Sequence, residues 1–383
     1  MGRNVTSKCD NMFIVMEPIL ATLHEGVAQL GANCTLWPEY FAPCQLSEMG
    51  VGDILVVVGP ALAALMPWAQ LRQTGVHRVY YDTDPMTPSL YQTDTGGQPT
   101  ASSAQVLESK LWWWAKSPVT VDTVLDAEEI WHYTHANKAV VELACAGRNI
   151  TNRFVPPGNH GWKGGNNYQM TNLGKGLLFV GDVSGKNAAR VPCWQALQRA
   201  LSMSARRLNR SSALLYAEVV DHALDKLQHL NHRIANSGLT HLSMHKQCTS
   251  ELADMLPLET VRLAKALSLG RIVVSQRANQ ADEAEYAGIV TFVGKRTSSQ
   301  LITPSRLAIA ISTDDEDRAH MRAQAFALAV TAEAEQLTAL NKSERSHLRM
   351  SRAAAFKARF APAAILGRAG LPGLLCVSST ALL

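Results

Sequence analysis

Short runs of apolar, often β-branched residues alternate with helical stretches along the first third of the chain. MFIVM, CTLW, DILVVVGP and HRVYYDTDP have the pattern of strands, and PILATLHEGVAQLGA and ALAALMPWAQLRQTG have that of helices. Nearly continuous apolar strands separated by helices of this length are typical of a parallel sheet covered on both faces. The pattern therefore predicts a Rossmann-like half.

The pattern breaks in the segment VPPGNHGWKGGNNYQMTNLGK, which has no hydrophobic period, and then begins again. Strands are predicted for GLLFVGD, SALLYAEV, LTHLSMH, RIVVSQ and IVTFV, and helices for CWQALQRALSM, LDKLQHLNHRIANSG and LETVRLAKALSLG. A segment rich in Gly, Pro and Asn between two such arrays is typical of a domain boundary. We therefore predict an α/β fold of two Rossmann-like domains that face each other across a cleft.

The predicted boundaries follow from these changes of pattern. The segment from Ser312 begins with Ser/Thr capping and acidic residues and continues as a long helix, so helices should extend the second domain. The prediction is a first domain over 1–156, a linker over 157–175, a second domain over 176–312, C-terminal helices over 313–360 and a tail without clear pattern over 361–383.

Length and composition agree with this organisation. One hydrophobic core stops growing beyond about 250–300 residues, and the chain has 383 residues. No apolar run approaches the roughly 20 residues that a membrane span needs. The apolar run before Glu17 is too short for a secretory signal, so we expect a cytoplasmic protein.

Charge and cysteine content narrow the function further. A net charge of +4 is too small to indicate a nucleic-acid surface, so no nucleic-acid partner is expected. The 7 cysteines show no metal-binding spacing, and we expect buried or free thiols in a reducing compartment. Residues 341–360 are basic and predict a terminal helix with a solvated basic face; weak contact with an anionic membrane surface is the alternative.

The familiar phosphate-binding fingerprints are missing. No GxGxxG follows a strand, and GDVSGKN is one residue short of a P-loop and has Asn in the Ser/Thr position. What remains is a predicted strand that ends in Gly181 and Asp182 before a helix, where backbone N–H groups could approach a phosphate. A turn glycine without a ligand is the alternative.

The polar residues of the second half concentrate in residues 242–276. His245 ends a predicted strand, and Glu259 and Arg262 lie three positions apart at the start of a helix, so they share a face near its positive end. A carboxylate there can accept bonds from ribose or sugar hydroxyls, and an arginine offers a planar fork to a diphosphate. A surface ion pair is the other interpretation of the Glu/Arg pair.

Several short motifs in this order resemble a known group of enzymes. The stretch SMHKQCTSELADMLPLETVRLAKALSLGRIVVSQR, followed by DEAEYAGIVTFV, is similar to the carboxyl half of GT-B-type glycosyltransferases of the spore-maturation-protein-like group. EIWHYTHAN and VPPG resemble the signature with which the same group ends its amino-terminal domain. In this chain Thr134, Pro157 and Gln276 depart from the group's usual Ser, Leu and Glu.

The resemblance implies transfer of a sugar from a nucleotide-sugar donor, without a metal and without a bound cofactor. The donor diphosphate would lie against Gly181, Asp182 and Arg262, stabilised by backbone N–H groups and the guanidinium. Glu259 would bind ribose or sugar hydroxyls, and His245 would lie beside the transferred sugar as a catalytic candidate. The acceptor, which could be a glycan, a protein or a small molecule, is not identified.

For the first domain the resemblance implies that IWHYTHANKAVVE is the last strand and first helical turn of the sheet. Tyr133 and Asn137 would face the cleft, and Trp131 would pack in the core. If the reaction inverts, the acceptor base should come from this domain, and Glu17 or Asp82 are the candidates at predicted strand ends. A turn built by Asp82 and Asp84 is the alternative.

Three other interpretations differ in how far the sequence supports them. His132 with His135, and His229 with His232, are pairs at helical spacing, but no third ligand follows, so a metal site is not expected. A non-catalytic scaffold that keeps the same cleft and binds a nucleotide or glycan is the runner-up function. A nucleotide-sugar epimerase would need a cluster of acids and histidines at the centre of the cleft, which the sequence does not indicate.

Overall fold

The chain forms two compact units. The computed structural model describes residues 6–34, 49–59, 63, 66–83, 87–88, 111–112, 127–144, 147, 149–159, 176–181, 183, 190–208, 216–220, 234, 240–245, 248–249, 256–296 and 316–371. Among these residues, the first unit comprises those up to 158 together with those from 362 onward, and the second comprises those from 159 to 361. The predicted strand CTLW and most of the predicted helix LDKLQHLNHRIANSG lie outside the described residues.

The first unit is built on a four-stranded parallel sheet in the order β1-β2-β5-β6. Its strands are β1 (Ile54–Val58), β2 (His77–Asp82), β5 (Glu129–His132) and β6 (Thr151–Phe154), and a separate antiparallel pair joins β3 (Thr87–Pro88) to β4 (Leu111–Trp112). Its first three helices are α1 (Thr6–Gln29), α2 (Trp68–Thr74) and α3 (His135–Ala144). The prediction for IWHYTHANKAVVE is confirmed, since β5 ends at His132 and α3 follows, with Trp131 1% exposed in the core.

The prediction of a first strand at MFIVM is wrong. The segment lies within α1, which continues through Pro18 to Gln29, so Glu17 is inside a helix and not at a strand end. A five-residue apolar run fits a strand or a buried helix equally well by pattern. No turn residue other than Pro18 separates it from the amphipathic stretch that follows, and the longer helix is the outcome.

The chain returns to the first unit through α9 (Pro362–Arg368), which packs along α1. A β-carbon on Gly26 would lie 2.6 Å from Leu366, so the two helices touch where α1 has no side chain. The backbone N–H of Ala363 donates to Gln29 Oε1 at 3.2 Å. Residues 362–371, which the sequence left without a structure, therefore belong to the first unit, and those from 372 onward lie outside the described residues.

The second unit contains a five-stranded, all-parallel sheet in the order β11-β10-β9-β7-β8. Its strands are β7 (Leu177–Val180), β8 (Ala217–Val220), β9 (Thr240–Ser243), β10 (Val273–Gln276) and β11 (Val290–Val293). Its helices are α4 (Val191–Arg207), α5 (Thr260–Ser268), α6 (Gln280–Glu285), α7 (Glu316–Ala339) and α8 (Lys342–Arg359). The main apolar core lies where α4 and α7 cover the sheet, and it includes Phe179, Leu201, Leu242, Val274 and Val330.

Two parallel sheets with helices confirm the predicted α/β class with two Rossmann-like domains. Among the described helices, none is both long and apolar enough to span a bilayer.

Two of the sequence expectations need correction in the second unit. Cys193 and Cys248, predicted to be thiols, form a disulfide between the first turn of α4 and the segment after β9. They are 55 residues apart, a spacing from which no sequence rule could identify a pair. Cys34 is a free cysteine.

The basic face predicted for residues 341–360 is solvated only in part. Lys342, Lys357 and Arg359 are exposed, but Arg345, Arg349 and Arg352 lie on the face that also carries the fully buried Phe356. We call Arg345, Arg349 and Arg352 the inner arginine row. The spacing i, i+4, i+7, i+11 places all four side chains on one side of α8, and that side is turned inward.

Candidate functional site

In the second unit, chemically useful residues meet at the carboxyl edge of the sheet. Gly181 follows β7, His245 follows β9, and α5 begins at the same edge with Glu259 at its N-cap and Arg262 in its first turn. Parallel strands bring such residues to one edge, where α/β proteins bind their ligands. Together with Arg190, these four residues form the carboxyl-edge cluster.

Gly181 allows an arginine to approach the backbone. A β-carbon at this position would lie 2.8 Å from the ring of Phe179 and 3.4 Å from Nη1 of Arg262. The sequence predicted that Gly181 and Arg262 would bind the same diphosphate, and the structure brings the two together.

Glu259 lies between two arginines. Its Oε2 is 3.9 Å from Arg262 Nη1, and its Oε1 is 3.5 Å from Arg190 Nη2. Although Glu259 occupies the N-cap of α5, its side chain makes no capping hydrogen bond. The side chains of Glu259 and Arg262 are 18% and 21% exposed, so the carboxylate and the guanidinium both keep an accessible part.

Arg190 is the member that sequence reasoning missed. It is the N-cap of α4 and is 1% exposed, and its guanidinium lies 5.4 Å from the centre of the Phe179 ring. Nε donates to the carbonyl of His245 and Nη2 to that of Met244, both at 3.3 Å. Its one sequence signal is a position directly before a predicted helix. Arg190 ties the start of α4 to the end of β9.

His245 is held in one tautomer. Nε2 lies 2.7 Å from the carbonyl of Arg277, which can only accept, so Nε2 carries the proton and Nδ1 keeps its lone pair. Burial lowers the pKa of His245, and the Arg277 carbonyl and the Glu259 charge offset part of that effect. Its backbone N–H donates to Gln276 Oε1 at 3.2 Å. Near neutral pH the ring is therefore uncharged.

The first unit has a buried polar network at the carboxyl edge of its own sheet. Asp82 and His132 are register partners on β2 and β5, and Asn137 lies in the first turn of α3. Asn137 Nδ2 donates to Asp82 Oδ2, which is 3.6 Å from His132 Nδ1. All three residues are 0% exposed. The structure thus joins the predicted residues Asp82 and Asn137 through a hydrogen bond and adds His132 to them.

Asn152 holds the ring of His132 from the side away from Asp82. Asn152 Nδ2 donates to the carbonyl of Ile150 at 3.4 Å, which turns Oδ1 toward His132 Nε2 at 3.0 Å. His132 Nδ1 then faces the Asp82 carboxylate at 3.6 Å. The ring is thus fixed between the two strands.

The remaining predicted site residues have different outcomes. Tyr133 is buried, with 3% of its surface exposed. The side chain of Glu17, together with Asp84 and Asp182, lies outside the described residues. Within the described ranges, no three His, Cys, Asp or Glu side chains gather as metal ligands.

The chain was compared with known proteins at three levels. No family model matches it, and no curated protein matches it in sequence. Among solved structures, it is similar to the pneumococcal O-GlcNAc transferase GtfA in complex with UDP and GlcNAc, at 10% identity and a TM-score of 0.48, over 88% of this chain and 58% of that one. It thus spans less than two thirds of the GtfA chain.

A second similar structure is the α,α-trehalose-phosphate synthase (UDP-forming) from Burkholderia vietnamiensis, at 12% identity and a TM-score of 0.47. The alignment covers 96% of this chain and 86% of that one. A third is the α,α-trehalose 6-phosphate synthase from Burkholderia multivorans, at 10% identity and a TM-score of 0.47. The structural neighbours are thus glycosyltransferases, and the likeness is one of fold.

Proposed function

We propose that the protein is a glycosyltransferase whose carboxyl-edge cluster binds the diphosphate of a nucleotide-sugar donor. The observation that carries the proposal is the approach of Arg262 to Gly181, 3.4 Å from the position that a β-carbon would take. A strand end without a side chain, a partly exposed guanidinium and the amino end of α5 combine the three features that bind a diphosphate. The resemblance of the surrounding motifs to GT-B-type enzymes supports the same assignment.

The roles of the other cluster residues follow from their surroundings. Arg262 would stabilise the negative charge that develops on the leaving diphosphate as the bond to the sugar breaks. Glu259, partly exposed, would accept hydrogen bonds from ribose or sugar hydroxyls. His245 can offer the Nδ1 lone pair because Nε2 is occupied, so it would accept a hydrogen bond from the transferred sugar and not donate one. Arg190, buried against Phe179, would hold the start of α4 against the end of β9.

The acceptor base of the reaction has less support than the donor site. Asp82 was a candidate base, but its carboxylate is fully buried and already bonded to Asn137. A buried carboxylate that is bonded to Asn137 is suited to fixing α3 against the sheet. This observation favours the second candidate function, a scaffold that binds a nucleotide or glycan without transferring it.

The experiment is a thermal-shift screen of the protein against UDP, GDP, ADP, CMP and the corresponding nucleotide-sugars. A ligand that binds only the folded state raises the melting temperature by mass action. We expect one nucleotide family to raise it and Arg262→Gln to abolish the shift. Arg199→Gln is the matched control, because Arg199 is an exposed arginine on α4 of the same unit.

The two candidate functions separate in a second step. With the responding donor, release of the free nucleoside diphosphate is measured with and without a mixture of sugar, lipid and peptide acceptors. Release that requires Arg262 supports transfer, and binding without release supports the scaffold. If none of the nucleotides shifts the wild-type protein, the donor-site proposal is wrong.

A further inference from the structure

A second group of cations lies in the layer formed by α5 and α8, which pack against each other in the second unit. The inward face of a helix in such a layer is normally apolar. In α8 that face carries the inner arginine row, and in the neighbouring turn after α5 the chain adds Arg271. The interior of this layer is therefore positively charged.

Arg271 is the most deeply buried guanidinium of the group. It is 3% exposed and lies just before β10, with its backbone N–H donating to Ala266 at 3.0 Å. Within the described part of the chain, Nε and Nη2 of Arg271 have no hydrogen-bond partner. Burial, followed by the charge of Arg349 on α8, lowers the pKa of Arg271 to about 10.

Arg352 presents a second unfilled donor beside β11, the strand that pairs with β10. Its Nη2 donates to Thr291 Oγ1 at 2.8 Å, whereas Nη1 is buried and has no partner among the described residues. Burial lowers the pKa of Arg352, and Glu333 offsets this effect in part. A buried charge without a compensating partner is costly, so these guanidinium donors are suited to binding an anion.

The pKa of His241 is lowered in part by the same positive charges. It is 2% exposed on β9, and burial, followed by the charges of Arg262 and Arg271, lowers its pKa to about 3. Arg262 belongs to the carboxyl edge and Arg271 to the amino end of β10, so the two cations lie toward opposite ends of a parallel sheet. The layer around Arg271 is thus separate from the carboxyl-edge cluster.

We propose that Arg271 and Arg352 form a second anion-binding site, at the amino edge of the second sheet, that takes a phosphate group. The unfilled N–H donors of two guanidinium groups match the oxygens of a tetrahedral oxyanion, which arginine binds through its planar fork. The phosphate is either free inorganic phosphate or part of a phosphomonoester. This site does not depend on the nucleotide-sugar proposal.

The test compares binding of inorganic phosphate and of glycerol 3-phosphate by calorimetry and thermal shift, with chloride at equal ionic strength as the reference. We expect phosphate to stabilise the wild-type protein beyond chloride. Arg271→Met should raise the dissociation constant at least about tenfold, and it should raise the melting temperature without anion, because an unpaired buried charge is removed. Tighter binding of glycerol 3-phosphate would identify a phosphomonoester, and weaker binding the free ion.

Three further variants locate the site. Lys357→Gln removes an exposed charge from the outer face of the same helix and should leave binding unchanged. Arg352→Met should weaken phosphate binding as Arg271→Met does, and it provides an independent test if one of the two variants folds poorly. Arg262→Gln separates the two sites. A phosphate response that survives Arg271→Met and disappears in Arg262→Gln overturns the proposal, as does a wild-type protein that responds to phosphate no more than to chloride.

Discussion

Nη1 of Arg262 lies 3.4 Å from the place that a β-carbon on Gly181 would occupy, and the Phe179 ring lies at 2.8 Å from the same point. Gly181→Ala would therefore push a methyl group into an aromatic ring that itself lies over Arg190. We expect a loss of about 1–3 kcal/mol of stability from overpacking and about a tenfold weaker nucleotide affinity, measured by urea unfolding and by calorimetry.

The control for this variant is Gly367→Ala. Gly367 lies in α9, and a β-carbon there would meet nothing within 4 Å. Alanine is favoured over glycine in a helix, so stability should stay unchanged or rise by up to about 1 kcal/mol. If Gly181→Ala were as well tolerated as Gly367→Ala and bound nucleotide normally, the close approach of Arg262 would have no role in binding.

The features that local pattern could predict are the ones that depend on a few neighbouring residues. Runs such as ILVVV and LLFV are bounded by glycines on both sides, and both are strands in the structure. The N-terminal run MFIVM is also short and apolar, but it joins directly to a helical stretch, and the longer periodic element prevails. Composition alone could not separate these cases.

The missed features depend on contacts between distant parts of the chain. The burial of Arg190 depends on Phe179 and on the carbonyls that follow β9, and the disulfide depends on packing of α4 against the same segment. The inner arginine row did leave a signal, because Phe356 shares its face. Charge alone predicts a solvated face for this segment, and only Lys342, Lys357 and Arg359 meet that prediction by being exposed.

Glu129 should make the first unit sensitive to acid. Burial alone would raise the pKa of Glu129, but the neighbouring His77, at 3.6 Å, and hydrogen bonds from Arg153 and Trp131 lower it to about 2. Arg153 holds both carboxylate oxygens, through Nε at 2.7 Å and Nη2 at 2.8 Å. A carboxylate whose pKa is lower in the folded state than its unfolded value of 4.5 stabilises the fold at pH values above 4.5. That stabilisation is lost as the pH falls from 4.5 toward 2.

We therefore expect Glu129→Gln to lower the free energy of unfolding by about 3 kcal/mol at pH 7 and to flatten its decline between pH 5 and 3. Urea unfolding at a series of pH values measures both effects. Glu142→Gln is the control, since Glu142 is exposed and pairs only with Lys138 one turn away, a contact of about 0.5 kcal/mol at most. Equal losses in the two variants would contradict the assignment.

We expect His241 to make the stability of the second unit depend on pH, in a higher pH range than Glu129 does for the first unit. Its pKa is depressed from 6.5 to about 3, so the unfolded chain takes up a proton near pH 6.5 that the folded state does not. The free energy of unfolding should fall as the pH drops below 6.5. The contribution of this one group is about 1.4 kcal/mol for each pH unit. His241→Leu should remove that slope between pH 6 and 4, whereas His347→Gln, at an exposed position of α8, should keep it. An unchanged slope in His241→Leu would show that another group titrates.

The Cys193–Cys248 disulfide connects stability to the carboxyl-edge cluster. Cys193 lies in α4 just after Arg190, and the carbonyl of Cys248 accepts a hydrogen bond from Gln276 Nε2 at 2.9 Å. The other amide atom of Gln276 holds the backbone of His245. A bridge across 55 residues contributes about 4 kcal/mol by the loop-entropy relation. Disulfides are rare in reducing compartments, so an intact bridge would argue against the predicted cytoplasmic location.

We expect dithiothreitol to lower the melting temperature of the wild-type protein and to have no further effect on the double variant Cys193→Ser, Cys248→Ser. Cys34→Ser, which removes the free cysteine, should respond to reductant as the wild type does. Nucleotide affinity should fall together with stability on reduction, because the bridge holds the segment that positions Gln276 and His245. Unchanged melting on reduction, with free thiols at both positions by mass spectrometry before treatment, would show that the two cysteines pack as thiols, in agreement with a reducing compartment.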